Sequence, residues 1–72
     1  KPSKSTALAF CIGLGLNLNE SQVLLQKAGY GLSSSSRQDL IVRYFIESNK
    51  HDIFEVNEVL FDQKEPLLGS SY

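Results

Sequence analysis

Apolar side chains recur at intervals of three and four along four short stretches of this chain, and a Ser, Asn or Asp stands at the head of each. A three-four interval brings side chains onto one side of an α-helix. Those small polar residues carry the oxygen that satisfies the free amides of a first helical turn. The pattern leads to an all-α fold, a compact bundle of about four short helices. At 72 residues the chain is one small domain, of a size that buries about 60% of its unfolded surface. One core on this scale supplies roughly 3–5 kcal/mol, so little stability is left to hold a strained or polar active site. The 42% apolar content suffices for such a core and is too high for a disordered chain.

The first helix is expected over residues 4–14. Ser3 caps it, Leu8, Cys11, Ile12 and Gly15 share one side, and Gly15 suits the left-handed residue that ends a helix. The second is expected over residues 20–28. Asn19 with Gln22 three residues on has capping-box form, Val23, Leu24 and Ala28 make a stripe that Leu25 widens, Lys27 favours the helix dipole and Gly29 closes the helix. Residues 33–36, all serine, interrupt the pattern. They read as a loop whose last serine caps the third helix, or as a flexible linker. Each side alone has only about 30 residues, short of the roughly 40 that independent folding requires, which favours the loop.

The third helix is expected over residues 37–48, with Leu40, Ile41, Tyr44, Phe45 and Ser48 at helical spacing and Asn49 as its end cap. Val42 and Ile46 extend the apolar surface to a second side. A helix apolar on two sides is the central helix of a bundle or carries a partner surface. The fourth helix is expected over residues 53–61, opened by a capping-box pattern of Asp52 and Glu55, with Ile53, Val56, Val59 and Leu60 inward. The expected core is Leu8, Cys11, Ile12, Leu16, Val23, Leu24, Leu40, Ile41, Tyr44, Phe45, Val56, Val59 and Leu60. Residues 1–65 form the single helical domain. Residues 66–72, with Pro66, Gly69 and two serines, form a flexible tail from which Leu67 and Leu68 can pack back.

The net charge is −1, so nothing draws the whole chain toward nucleic acid. Residues 1–36 carry three lysines against one glutamate, and residues 37–72 four basic against seven acidic groups. The second half is therefore poorly suited to phosphate. The single cysteine, Cys11, can form no intrachain disulfide and fits a reducing, cytoplasmic setting. The longest apolar stretch, residues 7–18, is broken by Gly13, Gly15 and Asn17. It is too short to cross a membrane, and it is not expected to follow a signal peptide. The chain opens on Lys rather than Met, as a domain excised from a longer protein would.

No enzyme, cofactor, metal or small-molecule substrate is expected from the chemistry-bearing residues. His51 beside Asp52 has the form of a general base, but no nucleophile lies near it in sequence, and an exposed loop histidine is expected. Cys11 belongs on an apolar helix face and is expected as a buried small hydrophobe. One Cys and one His cannot build a four-ligand zinc site. Gly13-Leu14-Gly15 lacks the third glycine and preceding strand of a dinucleotide loop, leaving close helix packing and a turn as its uses. Asp39, Glu47, Glu55 and Glu58 alternate with core positions and are expected on a solvated face. Asn19-Glu20-Ser21 has the form of a glycosylation acceptor, but Asn19 is assigned as a cap. Phosphorylation within residues 33–36 would act on the start of the third helix. Among the aromatics, Phe10 and Phe61 lie off the main stripes. With Val42 and Ile46 they are the candidate partner surface.

Pro2-Ser3-Lys4-Ser5-Thr6-Ala7-Leu8-Ala9-Phe10-Cys11-Ile12-Gly13-Leu14-Gly15-Leu16 resembles part of a helix-turn-helix regulator of the Cro/repressor (XRE) type, where such a stretch follows the recognition helix. The capped segment Leu18-Asn19-Glu20-Ser21-Gln22-Val23-Leu24-Leu25-Gln26-Lys27-Ala28-Gly29-Tyr30 continues that likeness. Together the two cover roughly residues 1–30. The remainder is similar to C-terminal extensions on some bacterial proteins of this type, and to tails that follow macro-type, ADP-ribose-related domains in bacteria. The resemblance implies a bacterial, cytoplasmic protein with a role in transcription regulation. In it, this non-catalytic domain supports the DNA-binding unit and mediates self-association or partner binding. The recognition helix would lie upstream of Lys1. DNA binding is expected only with those upstream helices, since base readout needs that helix in the major groove. Lys1 and Lys4 match the loop after it and are the candidate phosphate contacts. The alternative is a protein-protein interaction module appended to a bacterial enzyme, with no DNA role.

Overall fold

The computed structural model describes residues 2–69. Its helices are α1 (Lys4–Gly13), α2 (Leu18–Lys27), α3 (Arg37–Glu47) and α4 (Ile53–Asp62), and no strand occurs among the described residues. Three of the four expected caps are in place. Ser3 Oγ accepts from the Thr6 N–H at 3.1 Å, Ser36 Oγ from the Asp39 N–H at 3.2 Å, and Asp52 Oδ1 from the Phe54 N–H at 2.9 Å. The Asp52 bond reaches only two residues on, an Asx-type turn in which Glu55 takes no part.

The start of α2 corrects the expectation from sequence. Asn17, not Asn19, is the cap. Its Oδ1 accepts from the Glu20 N–H at 2.8 Å while Glu20 Oε1 accepts from the Asn17 N–H at 3.0 Å, closing a full capping box. Glu20 makes the difference, because its carboxylate is a stronger acceptor than the Gln22 amide and lies at the positive end of the helix. Asn19 is left exposed.

All four helices end the same way. The residue after each cap is left-handed: Gly15 (φ 67), Gly29 (φ 85), Asn49 (φ 57) and Lys64 (φ 59). Each is bracketed by the paired backbone bonds of a Schellman turn, such as Leu16 N–H to Cys11 O at 3.1 Å and Gly15 N–H to Ile12 O at 3.1 Å. Lys64 stands where a glycine would carry no Cβ penalty. Gly13, by contrast, is exposed with open space where its Cβ would be, so close helix packing is not its role.

α1 and α3 form the centre, each touching the other three elements, while α2 and α4 flank them without touching one another. The core is Ala7, Leu8, Cys11 and Ile12 from α1, Leu25 from α2, Val42, Phe45 and Ile46 from α3, Val56 and Leu60 from α4, and Leu68. Leu16, Leu24, Ile41 and Val59 pack against its edge. Three expected core residues are instead exposed: Val23, Leu40 and Tyr44. Conversely, Val42 and Ile46, assigned to a partner surface, are fully enclosed. α3 is turned about its axis by roughly a third of a turn from the side its sequence suggests.

Asp39 lies on the side that is turned inward. Expected on a solvated face, it is buried beneath the start of α3. Its Oδ2 accepts from Lys4 Nζ at 2.6 Å and from the Ser33 N–H at 2.7 Å. A buried carboxylate requires such partners, and with Asp39 inward the residues three, six and seven positions on, Val42, Phe45 and Ile46, must point inward too. The pair also holds the serine loop to α1, so residues 33–36 connect two parts of one body rather than acting as a linker.

Residues 66–69, assigned to a flexible tail, are held by side chains from three helices. Gln38 Nε2 donates to Pro66 O at 2.8 Å, and Ser5 Oγ donates to Leu67 O at 3.0 Å and accepts from the Gly69 N–H at 3.1 Å. Asn57 clasps Leu68, accepting from its N–H at 2.7 Å and donating to its carbonyl at 3.2 Å. These bonds seat the Leu68 side chain in the core. Residues 70–72 of the expected tail lie outside the described residues.

Candidate partner-binding surface

Three helices carry pairs of large apolar side chains on their outer sides. Phe10 on α1 and Leu14 at its C-cap stand one turn apart, Leu40 and Tyr44 one turn apart on α3, and Phe54 and Phe61 two turns apart on α4. The α4 pair is the most exposed, at 81% and 73%. Both rings stand on the side of α4 opposite the buried Val56 and Leu60, so the helix is apolar inward and aromatic outward.

Of the residues proposed from sequence for a partner surface, Phe10 and Phe61 are exposed and Val42 and Ile46 are buried. Phe54 was missed. Its signal was available, because it lies seven residues before Phe61 and off the Ile53-Val56-Leu60 stripe. Of the candidate phosphate contacts, Lys4 is engaged by Asp39 and its side chain is only 32% exposed, while Lys1 lies outside the described residues.

The outer surface of α4 is also strongly acidic. Glu55, Glu58 and Asp62 are exposed and follow one another at three- and four-residue steps, forming a row beside the two rings. The helix contains no cationic residue, and none of the three carboxylates has an ion-pair partner among the described residues. α2 differs. Leu16, Asn19, Glu20, Val23, Leu24 and Lys27 line a shallow open groove of about 410 Å3 whose two charges are of opposite sign.

The chemistry-bearing residues are scattered. Cys11 is fully buried, and its thiol lies 3.8 Å from the Ser21 carbonyl to which it donates. Burial pushes the thiol pKa above its usual value of 9.0, against smaller opposing effects of its hydrogen bonds. His51 is half-buried rather than exposed. Its Nε2 is 3.0 Å from Asn49 Oδ1, and its Nδ1 is enclosed without a partner among the described residues. Asp52 is turned away to cap α4, so the two form no dyad. Glu47, Glu55 and Glu58 are on the solvated surface, and Arg43 pairs with Glu47 at 3.3 Å. Among the described residues no three His, Cys, Asp or Glu side chains are grouped to hold a metal ion, and no helix is long and apolar enough to cross a membrane.

No protein-family model matches the chain, and no curated protein and no solved structure is significantly similar to it.

Proposed function

We propose that this chain is a non-catalytic helical module that binds another protein through the outer side of α4. The observation that carries the reading is the exposure of Phe54 and Phe61 one heptad apart on a helix whose opposite side is already committed to the core. Covering both rings removes roughly 300 Å2 of apolar surface. At about 25 cal/mol per Å2 that is worth about 7 kcal/mol before losses. Lost translational and rotational freedom takes at least about 4 kcal/mol of it, which leaves about 3 kcal/mol and places the contact of the two rings alone in the millimolar range, to be tightened by neighbouring residues.

Self-association is the second form of the reading, and the α2 groove favours it. Glu20 and Lys27 stand at opposite ends of that groove, so two copies related by a twofold axis would match opposite charges. The resemblance at residues 1–30 supports a narrower form of the reading, in which the module belongs to a bacterial, cytoplasmic regulator and supports a helix-turn-helix unit. Lys4 pairs with Asp39 beneath α3, with 32% of its side chain exposed. A gel shift of the full-length protein on duplex DNA at rising salt tests this narrower form, since phosphate-based affinity falls steeply with salt.

The module reading is tested by placing a photo-crosslinking phenylalanine analogue at position 54 or 61 and, as a control, at exposed Gln22. Discrete adducts in cells from positions 54 and 61 but not 22 are expected. No adducts, or the same set from all three positions, would refute the α4 surface.

A further inference from the structure

We infer that the outer side of α4 docks a cationic amphipathic helix of a partner protein; this rests on the interaction-module reading above and names the chemistry of its occupant. Glu55, Glu58 and Asp62 flank the Phe54–Phe61 strip, without an ion-pair partner among the described residues, on a helix with no cation of its own. Like charges at these spacings weaken an isolated helix, and Asp62 in the last turn also opposes the helix dipole. Glu55, in the first turn, favours the dipole; Glu58 and Asp62 give folding nothing, whereas a positively charged partner would gain from all three carboxylates. Charge also decides against the other occupants of this surface. Two copies meeting through α4 would bring two acidic rows together, and a phosphate-bearing surface would be repelled by one.

The geometry sets the form of the partner. Phe54 and Phe61 are about 10.5 Å apart along the helix axis, the spacing spanned by apolar anchors at i, i+3 or i+4, and i+7 of a second helix. Lysines or arginines along one flank of that helix would meet Glu55, Glu58 and Asp62, while the apolar anchors cover the rings. The α2 groove, with one carboxylate and one ammonium, has no such preference of sign.

Two synthetic helical peptides test this, with the same leucine pattern and either lysine or glutamate at every polar position. Each is titrated into the isotope-labelled chain and followed by amide shifts. The lysine peptide is expected to move the signals of residues 53–62 and to bind roughly tenfold more tightly than the glutamate peptide, with the gap narrowing as salt rises. The variant E58K/D62K is expected to reverse the preference. Both phenylalanines are exposed, so F54S/F61S should keep the wild-type spectrum and lose the lysine peptide. Equal affinity for both peptides at α4 would overturn the cationic partner and leave the docking surface standing. Shifts confined to other elements would overturn both. Undiminished binding of the lysine peptide by F54S/F61S would show bare charge attraction and overturn the docked helix.

Discussion

Replacing Asp39 by alanine removes the buried carboxylate that ties α3 to α1 through Lys4. Asp39 is 1% exposed, and its Oδ2 holds both the Lys4 ammonium at 2.6 Å and the Ser33 N–H at 2.7 Å. Breaking a fully buried pair costs about 3–5 kcal/mol. The Lys4 side chain is 32% exposed and regains part of its hydration, which lowers that share to about 2 kcal/mol. Stranding the Ser33 N–H adds about 1 kcal/mol. The total, about 3 kcal/mol, is a large part of the roughly 3–5 kcal/mol that a core on this scale supplies. In a urea titration followed by far-ultraviolet circular dichroism, with a slope near 1 kcal/mol per molar for a chain this small, the midpoint should fall by about 3 M. The double variant K4M/D39L, which replaces both charges by apolar groups, should recover most of the loss. A D39A loss below about 0.5 kcal/mol, or one that vanishes in about 1 M salt, would mark an ordinary surface pair and refute the argument.

Three further outcomes follow from local features. N17A should cost about 1 kcal/mol in thermal or urea unfolding while N19A costs almost nothing, because only Asn17 caps α2; equal losses would return the cap to the position read from sequence. K64G should stabilise the chain by about 0.5–1 kcal/mol and G15A should destabilise it by a similar amount, since both positions are left-handed; no gain from K64G would show that the turn is not strained. Burial raises the Cys11 pKa above 9.0 in the folded chain. Its contribution to stability is therefore complete below the unfolded-state pKa and falls as pH climbs from there through the raised folded value. Unfolding free energy should drop across this alkaline window in the wild type more than in C11A, and alkylation of the native thiol should be slow; rapid alkylation at neutral pH would refute its burial.

Much of the fold was legible because its determinants are local. The spacing of Leu8, Cys11 and Ile12, of Val56 and Leu60, and the caps Ser3, Ser36 and Asp52 each act within a turn or two of themselves. The partner surface was legible only in part. Phe10 and Phe61 stood off their stripes, but Leu40, Tyr44, Val42 and Ile46 were assigned to opposite sides, since an α3 rich in apolar residues all round contains no internal mark of which side faces inward. The cap of α2 was misplaced because two asparagines two residues apart both qualify, and a third residue, Glu20, chooses between them.

By itself the sequence determined that there are four helices, roughly where each begins and stops, and that Cys11 belongs inside, because backbone capping and helical periodicity are decided by near neighbours. Which side of α3 is buried, that Lys4 pairs with Asp39 and how residues 66–69 close the bundle were decided only in the tertiary structure. Each depends on partners tens of residues away: Lys4 on Asp39, Ser5 on Leu67 and Gly69, Gln38 on Pro66. A carboxylate is soluble or buried according to whether a cation is brought to it, and only the folded chain brings one.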